Sequence, residues 1–380
     1  MIDKEIAEIR RRFRSDKCSI SRLRGCYVSE AKEIVSTTDQ SLGLLTEDEQ
    51  EQILSILKKT MSGAIGVHLL NLDFSTNQVM YGEEHKLLMS LRESMLSDDN
   101  AVNTFFSKVV ASLNLEGSYM ILLVADTYDV FSYRKDGSGK DDDASEVFRY
   151  VVCAICPIKA SKTSLSYKVK ENCFCQLGGD VALGRPEVGF MFPAFDNRST
   201  NLYSALYYTR STEDSHEELV NAIFNTGKVP MPATEQKNTF RGIIAESAGD
   251  DCSLSVISAV HAQVAQVIED QKAHRDEPCV IDKYAIRDIL EASGVSDAGI
   301  EAFEKKFDAD FGAHTEVNPR NMMDVKKFEV RTPDVVIRVK PERRDLVETR
   351  VIDGVKYILI RADEGAELNG IDIQIQSKED

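Results

Sequence analysis

The run Tyr119-Met120-Ile121-Leu122-Leu123-Val124-Ala125 constrains the fold of this chain more than any other segment. It is apolar without a break, so it has no side to offer to water. Its seven residues are far short of the roughly twenty that a membrane helix needs. A short unbroken apolar segment of this kind reads as a buried strand. Residues 147–158 read as a second, ending at Pro157. Two more strands are expected at Val188–Phe192 and at residues 202–208. They are joined by Asp196-Asn197-Arg198-Ser199-Thr200, rich in side chains that form turns.

Helical spacing surrounds these strands. Ile2, Ile6, Ile9 and Phe13 predict an amphipathic helix over residues 2–14, with arginines on its polar face. Thr46 and Glu49 fit a capping box ahead of Leu54, Leu57 and Met61. Val102, Phe106, Val109 and Leu113 mark another helix. Beyond Pro230 and Pro232 the pattern turns helical. Ile257, Val260, Val264 and Val267 form one stripe, and Ile300, Phe303, Phe307 and Phe311 another. Asp282 fits an N-cap for the helix carrying Ile286 and Leu290. From residue 324 the pattern is β, with Asp353-Gly354 and Asn369-Gly370 as two-residue hairpin turns.

The expected class is therefore α+β. Residues 1–230 read as a core domain with a mixed sheet, helices and a basic N-terminal helix. Residues 231–315 read as a helical region, and residues 316–380 as a small C-terminal antiparallel β element. A length of 380 residues fits two or three domains. No apolar signal core follows the N-terminal charges, and eight cysteines are too sparse for a disulfide scaffold. A cytoplasmic protein with no membrane partner is expected.

The net charge of −17 argues against a surface that coats nucleic acid as a whole. The charge is uneven, however. Residues 1–24 carry eight basic and four acidic side chains, and residues 320–361 eleven and seven. Arg10, Arg11, Arg12 and Arg14 at one end, and Arg338, Lys340, Arg343 and Arg344 at the other, are candidate contacts for nucleic acid or an acidic protein surface. A solvated, charge-mixed surface is the bland alternative. Tyr357 is the sole aromatic candidate near the C-terminal set, which disfavours a stacking platform for single strands.

Other candidates are local. Asp126 and Asp129 follow the first apolar run, where a loop beyond a strand end could carry metal or general-base chemistry. Both could equally be turn formers. Asp196, Asn197 and Arg198 could bind an anion through the guanidinium fork of Arg198, or Arg198 could pair with Asp196 in a hairpin. Cys153, Cys156, Cys173 and Cys175 could hold tetrahedral zinc. Residues three apart on a strand face opposite ways, though, so the first pair reads better as core packing. Gly137-Ser138-Gly139-Lys140, in an expected loop over residues 134–143, lacks the rest of a phosphate loop. His261 lies beside an apolar helical stripe and reads as a packed or capping histidine. No zinc-protease, nucleophile-elbow or dinucleotide motif is present, and no cofactor is implied.

Several blocks carry a resemblance. They are residues 6–13, Cys18-Ser19-Ile20-Ser21-Arg22, Gly25-Cys26-Tyr27-Val28, Cys156-Pro157, the stretch 189–200, and Val347-Glu348-Thr349-Arg350-Val351-Ile352-Asp353-Gly354. Together they resemble a bacterial family known as a domain of unknown function. That resemblance implies an intracellular bacterial protein and brings no catalytic residues with it. The order of parts is also similar, more distantly, to the nucleoid-associated protein family. The matching order is Leu91-Arg92-Glu93-Ser94-Met95-Leu96, a helix, the strand at 119–125, a helical stretch and a C-terminal β element. The leading expectation is a non-catalytic binding or regulatory protein. A nucleic-acid-associated protein and a metal-dependent hydrolase are the alternatives.

Overall fold

A computed structural model describes residues 1–133, 140–160, 164–168, 173–177, 181–226, 229–273, 279–313, 315–363 and 365–374. The chain divides after Glu235 into two compact units. The class is α+β.

The first unit holds helices α1 (Asp3–Arg10), α2 (Glu47–Lys59), α3 (Thr76–Tyr81), α4 (Glu83–Glu93), α5 (Asp99–Ser112) and α6 (Glu217–Ile223). Its strands are β1 (Arg22–Val28), β2 (Ile34–Ser41), β3 (Leu69–Asp73), β4 (Tyr119–Tyr133), β5 (Lys140–Ala160), β6 (Ser164–Lys168), β7 (Cys173–Leu177), β8 (Val181–Leu183), β9 (Val188–Phe192), β10 (Ala194–Asp196), β11 (Ser199–Asn201) and β12 (Ser204–Thr209). The main sheet runs β2-β1-β4-β5-β9-β12-β3, with β8 also paired to β5. Every pairing among these strands is antiparallel, so the mixed sheet expected from the sequence is an antiparallel one.

Both faces of this sheet are covered, which explains the unbroken apolar run. Ile121, Leu123 and Ala125 enter a core with Leu88 of α4, Phe105 of α5 and Val220 of α6. Leu122 and Val124 point the other way, into a core with Ile6 and Ile9 of α1 and Leu54 and Leu57 of α2. Strand alternation thus delivers successive residues of one run to two cores. Burial of each large apolar side chain stabilises the fold by about 1.5–3 kcal/mol.

Two strands run beyond their expected ends. β4 continues past Ala125 to Tyr133, and β5 starts at Lys140. Asp126 pairs in register with Tyr150, and Asp129 with Val147. The two aspartates therefore lie within a strand and not in a loop at its exit. Likewise Lys140 to Asp143 belong to a strand, while residues 134–139 lie outside the described residues. The backbone ladder continues where the unbroken apolar run stops, with half-buried Tyr128 and buried Val130 on one face and exposed Asp129 between them on the other.

The turn over 196–200 is a hairpin of its own. Asp196 pairs with Ser199, and Asn197 and Arg198 take positive φ values of 50° and 59°. Two consecutive left-handed residues match the right-handed twist of the flanking strands.

The second unit holds most of α7 (Ala233–Ala248), with α8 (Leu254–Ala273), α9 (Lys283–Ala292) and α10 (Asp297–Asp310). The Asp282 carboxylate accepts from the Ala285 amide at 2.8 Å, capping α9 as expected. Phe303, Phe307 and Phe311 stack along one side of α10 and its C-cap, all buried. The expected C-terminal antiparallel β element is present. It forms three separate hairpins: β13 (Phe328–Arg331) with β14 (Val336–Val339), β15 (Val347–Ile352) with β16 (Val355–Ile360), and β17 (Ala366–Leu368) with β18 (Ile371–Ile373). Asp353-Gly354 and Asn369-Gly370 make the last two turns, with φ of 51° and 78°, and 52° and 85°.

Candidate functional site

Asp126 is fully buried and saturated with partners. Its Oδ1 accepts from the Ser19 amide at 2.7 Å, its Oδ2 accepts from the Tyr150 hydroxyl at 2.6 Å, and Arg12 Nε lies 3.4 Å from Oδ2. Burial first, and then the charge of Asp126, push the Tyr150 phenol well above its ordinary range. Arg12 also donates to the Thr127 carbonyl at 3.1 Å and lies 4.6 Å over the Tyr128 ring. Tyr128 donates to Glu8 at 2.7 Å. This network fastens α1 and the segment after it to β4 and β5, and leaves Asp126 no lone pair aimed at solvent. Asp129, three residues on, is exposed.

The 196–198 turn joins the same network. The Asn197 amide donates to Glu5 at 2.5 Å, and Arg198 Nη1 donates to Glu8 at 2.8 Å. Asp196 accepts from Asn201 at 2.5 Å and pairs with the Met1 amine at 2.6 Å. Of the N-terminal arginines, Arg12 is engaged as above, exposed Arg14 pairs with Asp16 at 3.0 Å, and Arg10 and Arg11 close α1. The structure thus brings Asp126, Asn197 and Arg198 into one structural clamp.

The cysteines divide between the faces of the sheet. Cys153 packs into the α4–α5–α6 core, and Cys156 into the α1–α2 core. One ion cannot take both thiolates. Burial pushes the Cys153 thiol well up and Cys156 up to about 12. Both therefore stay protonated, and it is the thiolate that binds metal or attacks. The backbones of Cys173 and Cys175 belong to β7, but their side chains lie outside the described residues. Among the described residues, no group of three or more His, Cys, Asp or Glu is placed to hold a metal. No helix there is long and apolar enough to cross a membrane.

A more open arrangement lies in the second unit. One face of α7, one face of α8 and residues 323–331 with Arg338 enclose a cavity of 640 Å³. α7 contributes Lys237, Phe240, Arg241, Ile244 and Ala245, which recur at helical spacing. α8 contributes Leu254, Ile257 and His261, three and four residues apart. Phe328, the first residue of β13, meets the His261 ring edge-on with centroids 5.8 Å apart.

His261 is 5% exposed, and among the described residues neither ring nitrogen has a hydrogen-bond partner. A buried polar atom without a partner costs about 1–3 kcal/mol. The expectation of a packed histidine is met: the residue lines the cavity while its two nitrogens are sealed from water.

The charges around it are lopsided. Five cationic side chains, Lys237, Arg241, Lys327, Arg331 and Arg338, face two carboxylates, Asp324 and Glu329. Glu329 takes Arg331 at 2.8 Å and Arg338 at 2.6 Å, and Asp324 lies 3.8 Å from Lys327. Lys237 and Arg241, one turn apart on α7, form no ion pair among the described residues. Burial, then the positive charges of Arg241 and Lys327, hold the Lys237 ammonium below the ordinary lysine range, while Asp324 opposes them.

Of the C-terminal basic candidates, Arg338 reaches this cavity; Lys340, Arg343 and Arg344 do not line it. Lys237 and Arg241 were absent from the sequence candidates. Their spacing is the one signal they give: two cations at i and i+4 repel on a helix, and here they sit beside Phe240 and Ile244.

The model of a family described as a domain of unknown function (DUF4317) matches residues 1–371. The chain belongs to this family. The match takes in the residues of the antiparallel sheet, of the clamp around Asp126 and of the α7–α8 cavity. No curated protein matches the chain.

Proposed function

We propose that this chain is a non-catalytic binding protein, with a small organic molecule as its ligand and the α7–α8 cavity as its site. The observation that carries this reading is the cavity lining itself, where Lys237 and Arg241 stand without an ion pair among the described residues beside the apolar wall of Phe240, Ile244 and Ile257. Two cations one helical turn apart repel each other, so a pair of them on a cavity lining with an apolar wall favours a partner that arrives from outside. The size supports it: ligand pockets span about 300–1,000 Å³, and this one measures 640 Å³. The reactive candidates read from the sequence support the non-catalytic part. Asp126 is saturated, and Cys153 and Cys156 are protonated and on opposite faces.

Ligand-observed NMR tests the reading. A set of small organic acids, bases and neutral compounds is screened against the whole chain, then against Ala245→Phe, which fills the cavity from the exposed side of α7. The reading requires binders that the substitution displaces. It fails if nothing binds, or if every binder ignores Ala245→Phe.

A further inference from the structure

We infer that the ligand of this cavity is an amphipathic organic anion: an oxyanion head seated between Lys237 and Arg241, and an apolar body lying against Ile244, Ile257 and Phe328. The inference rests on the binding reading above and specifies its chemistry.

Three features of the cavity must be answered by one molecule. The first is charge. In a chain with a net charge of −17, carboxylates are plentiful, yet Lys237 and Arg241 stand one turn apart without an ion pair among the described residues. The other cations of the lining are already served by Glu329 and Asp324. A carboxylate or phosphate between the two α7 cations would relieve their repulsion and accept charge-assisted hydrogen bonds from both. Arg241 offers the planar fork and Lys237 the point charge. The depressed ammonium of Lys237 fits a cation waiting for a counter-charge.

The second feature is the apolar wall. Phe240 and Ile244 are buried, while Leu254, Ile257 and Val330 are half-buried on the lining. An inorganic anion would satisfy the charges and leave this wall wet. A neutral apolar compound would cover the wall and leave two cations unpaired. The third is His261, at the far side on α8, edge-on to Phe328. Its nitrogens are sealed from water, so what the ring offers the ligand body is aromatic contact beside Phe328 and not a hydrogen bond. A head-and-body anion meets all three demands.

Isothermal titration of the whole chain with octanoate, octyl phosphate, octanol and inorganic phosphate is the test. The two anionic amphiphiles are expected to bind about ten-fold or more tightly than octanol, and inorganic phosphate more weakly than octyl phosphate. Which of the two heads binds better separates a carboxylate from a phosphate ligand. The double variant Lys237→Gln, Arg241→Gln changes side chains that are half-buried and exposed, so folding is preserved. It is expected to remove the advantage of the anions and leave octanol unchanged. Equal affinity for octanol and the anions would overturn this inference while leaving the cavity a binding site. Absence of binding by all four would overturn both.

Discussion

Replacing Asp126 with alanine separates a structural clamp from a spare reactive carboxylate. The side chain is buried within β4 and accepts from the Ser19 amide at 2.7 Å and the Tyr150 hydroxyl at 2.6 Å. Its removal strands two donors, each costing about 1–3 kcal/mol, and frees Arg12 from its counter-charge. A loss of about 4 kcal/mol follows for the first unit. With a urea dependence of about 3 kcal/mol per molar, the transition moves down by about 1.3 M. Far-UV circular dichroism is the suitable probe, because the chain has no tryptophan. Asp129→Ala is the internal control: this carboxylate sits on the same strand but is exposed, so its loss stays within about 0.5 kcal/mol. A shift of equal size for both variants, or none for Asp126→Ala, would refute the reasoning.

The remaining predictions follow from single environments. Burial holds the Tyr119 phenol up to about 12, and burial with the hydrogen bond to Glu8 does the same for Tyr128. An unfolded phenol titrates near 10, so the unfolded chain loses these protons first and stability falls as pH rises between about 10 and 12. Absorbance at 295 nm should show these two phenols ionising after the exposed ones, and a single step near pH 10 would contradict it. Gly354→Ala places a Cβ at φ 78°, so the β15–β16 turn should lose about 1 kcal/mol, read as faster amide exchange across that hairpin. Lys237 titrates below the free-lysine value. Octanoate should therefore weaken as pH rises through that lowered value, while the unliganded unit gains stability over the same window. Lys237→Gln should flatten both trends in calorimetry and denaturation.

Much of the fold was legible because its signals are local. The Thr46–Glu49 capping box, the Asp282 cap and the Asp353-Gly354 turn each depend on a few neighbouring residues, and each is present. The run at 119–125 announced a buried strand because alternating residues were needed by two cores. The extent of β4 and β5 was not legible. Past Ala125 only one face of β4 stays buried, through Asp126, Tyr128 and Val130, and a buried aspartate interrupts the apolar pattern there. Two C-terminal hairpins were legible from their Asp353-Gly354 and Asn369-Gly370 turns, while the β13–β14 hairpin has no such dipeptide to announce it. The clamp around Asp126 joins residues more than a hundred positions apart in sequence, beyond the reach of any spacing rule. The cavity was half-visible: the α8 stripe beside His261 could be read, but its facing partner on α7 required the fold.

Nitrogen-resolved NMR of the imidazoles tests the binding reading most directly. The chain has six histidines, and each gives its own pair of ring-nitrogen signals. On titration with octanoate, the His261 signals are expected to move and to saturate at the affinity found by calorimetry, while the others hold still. Octanoate binding that leaves His261 unmoved would place the ligand elsewhere and contradict the proposed site.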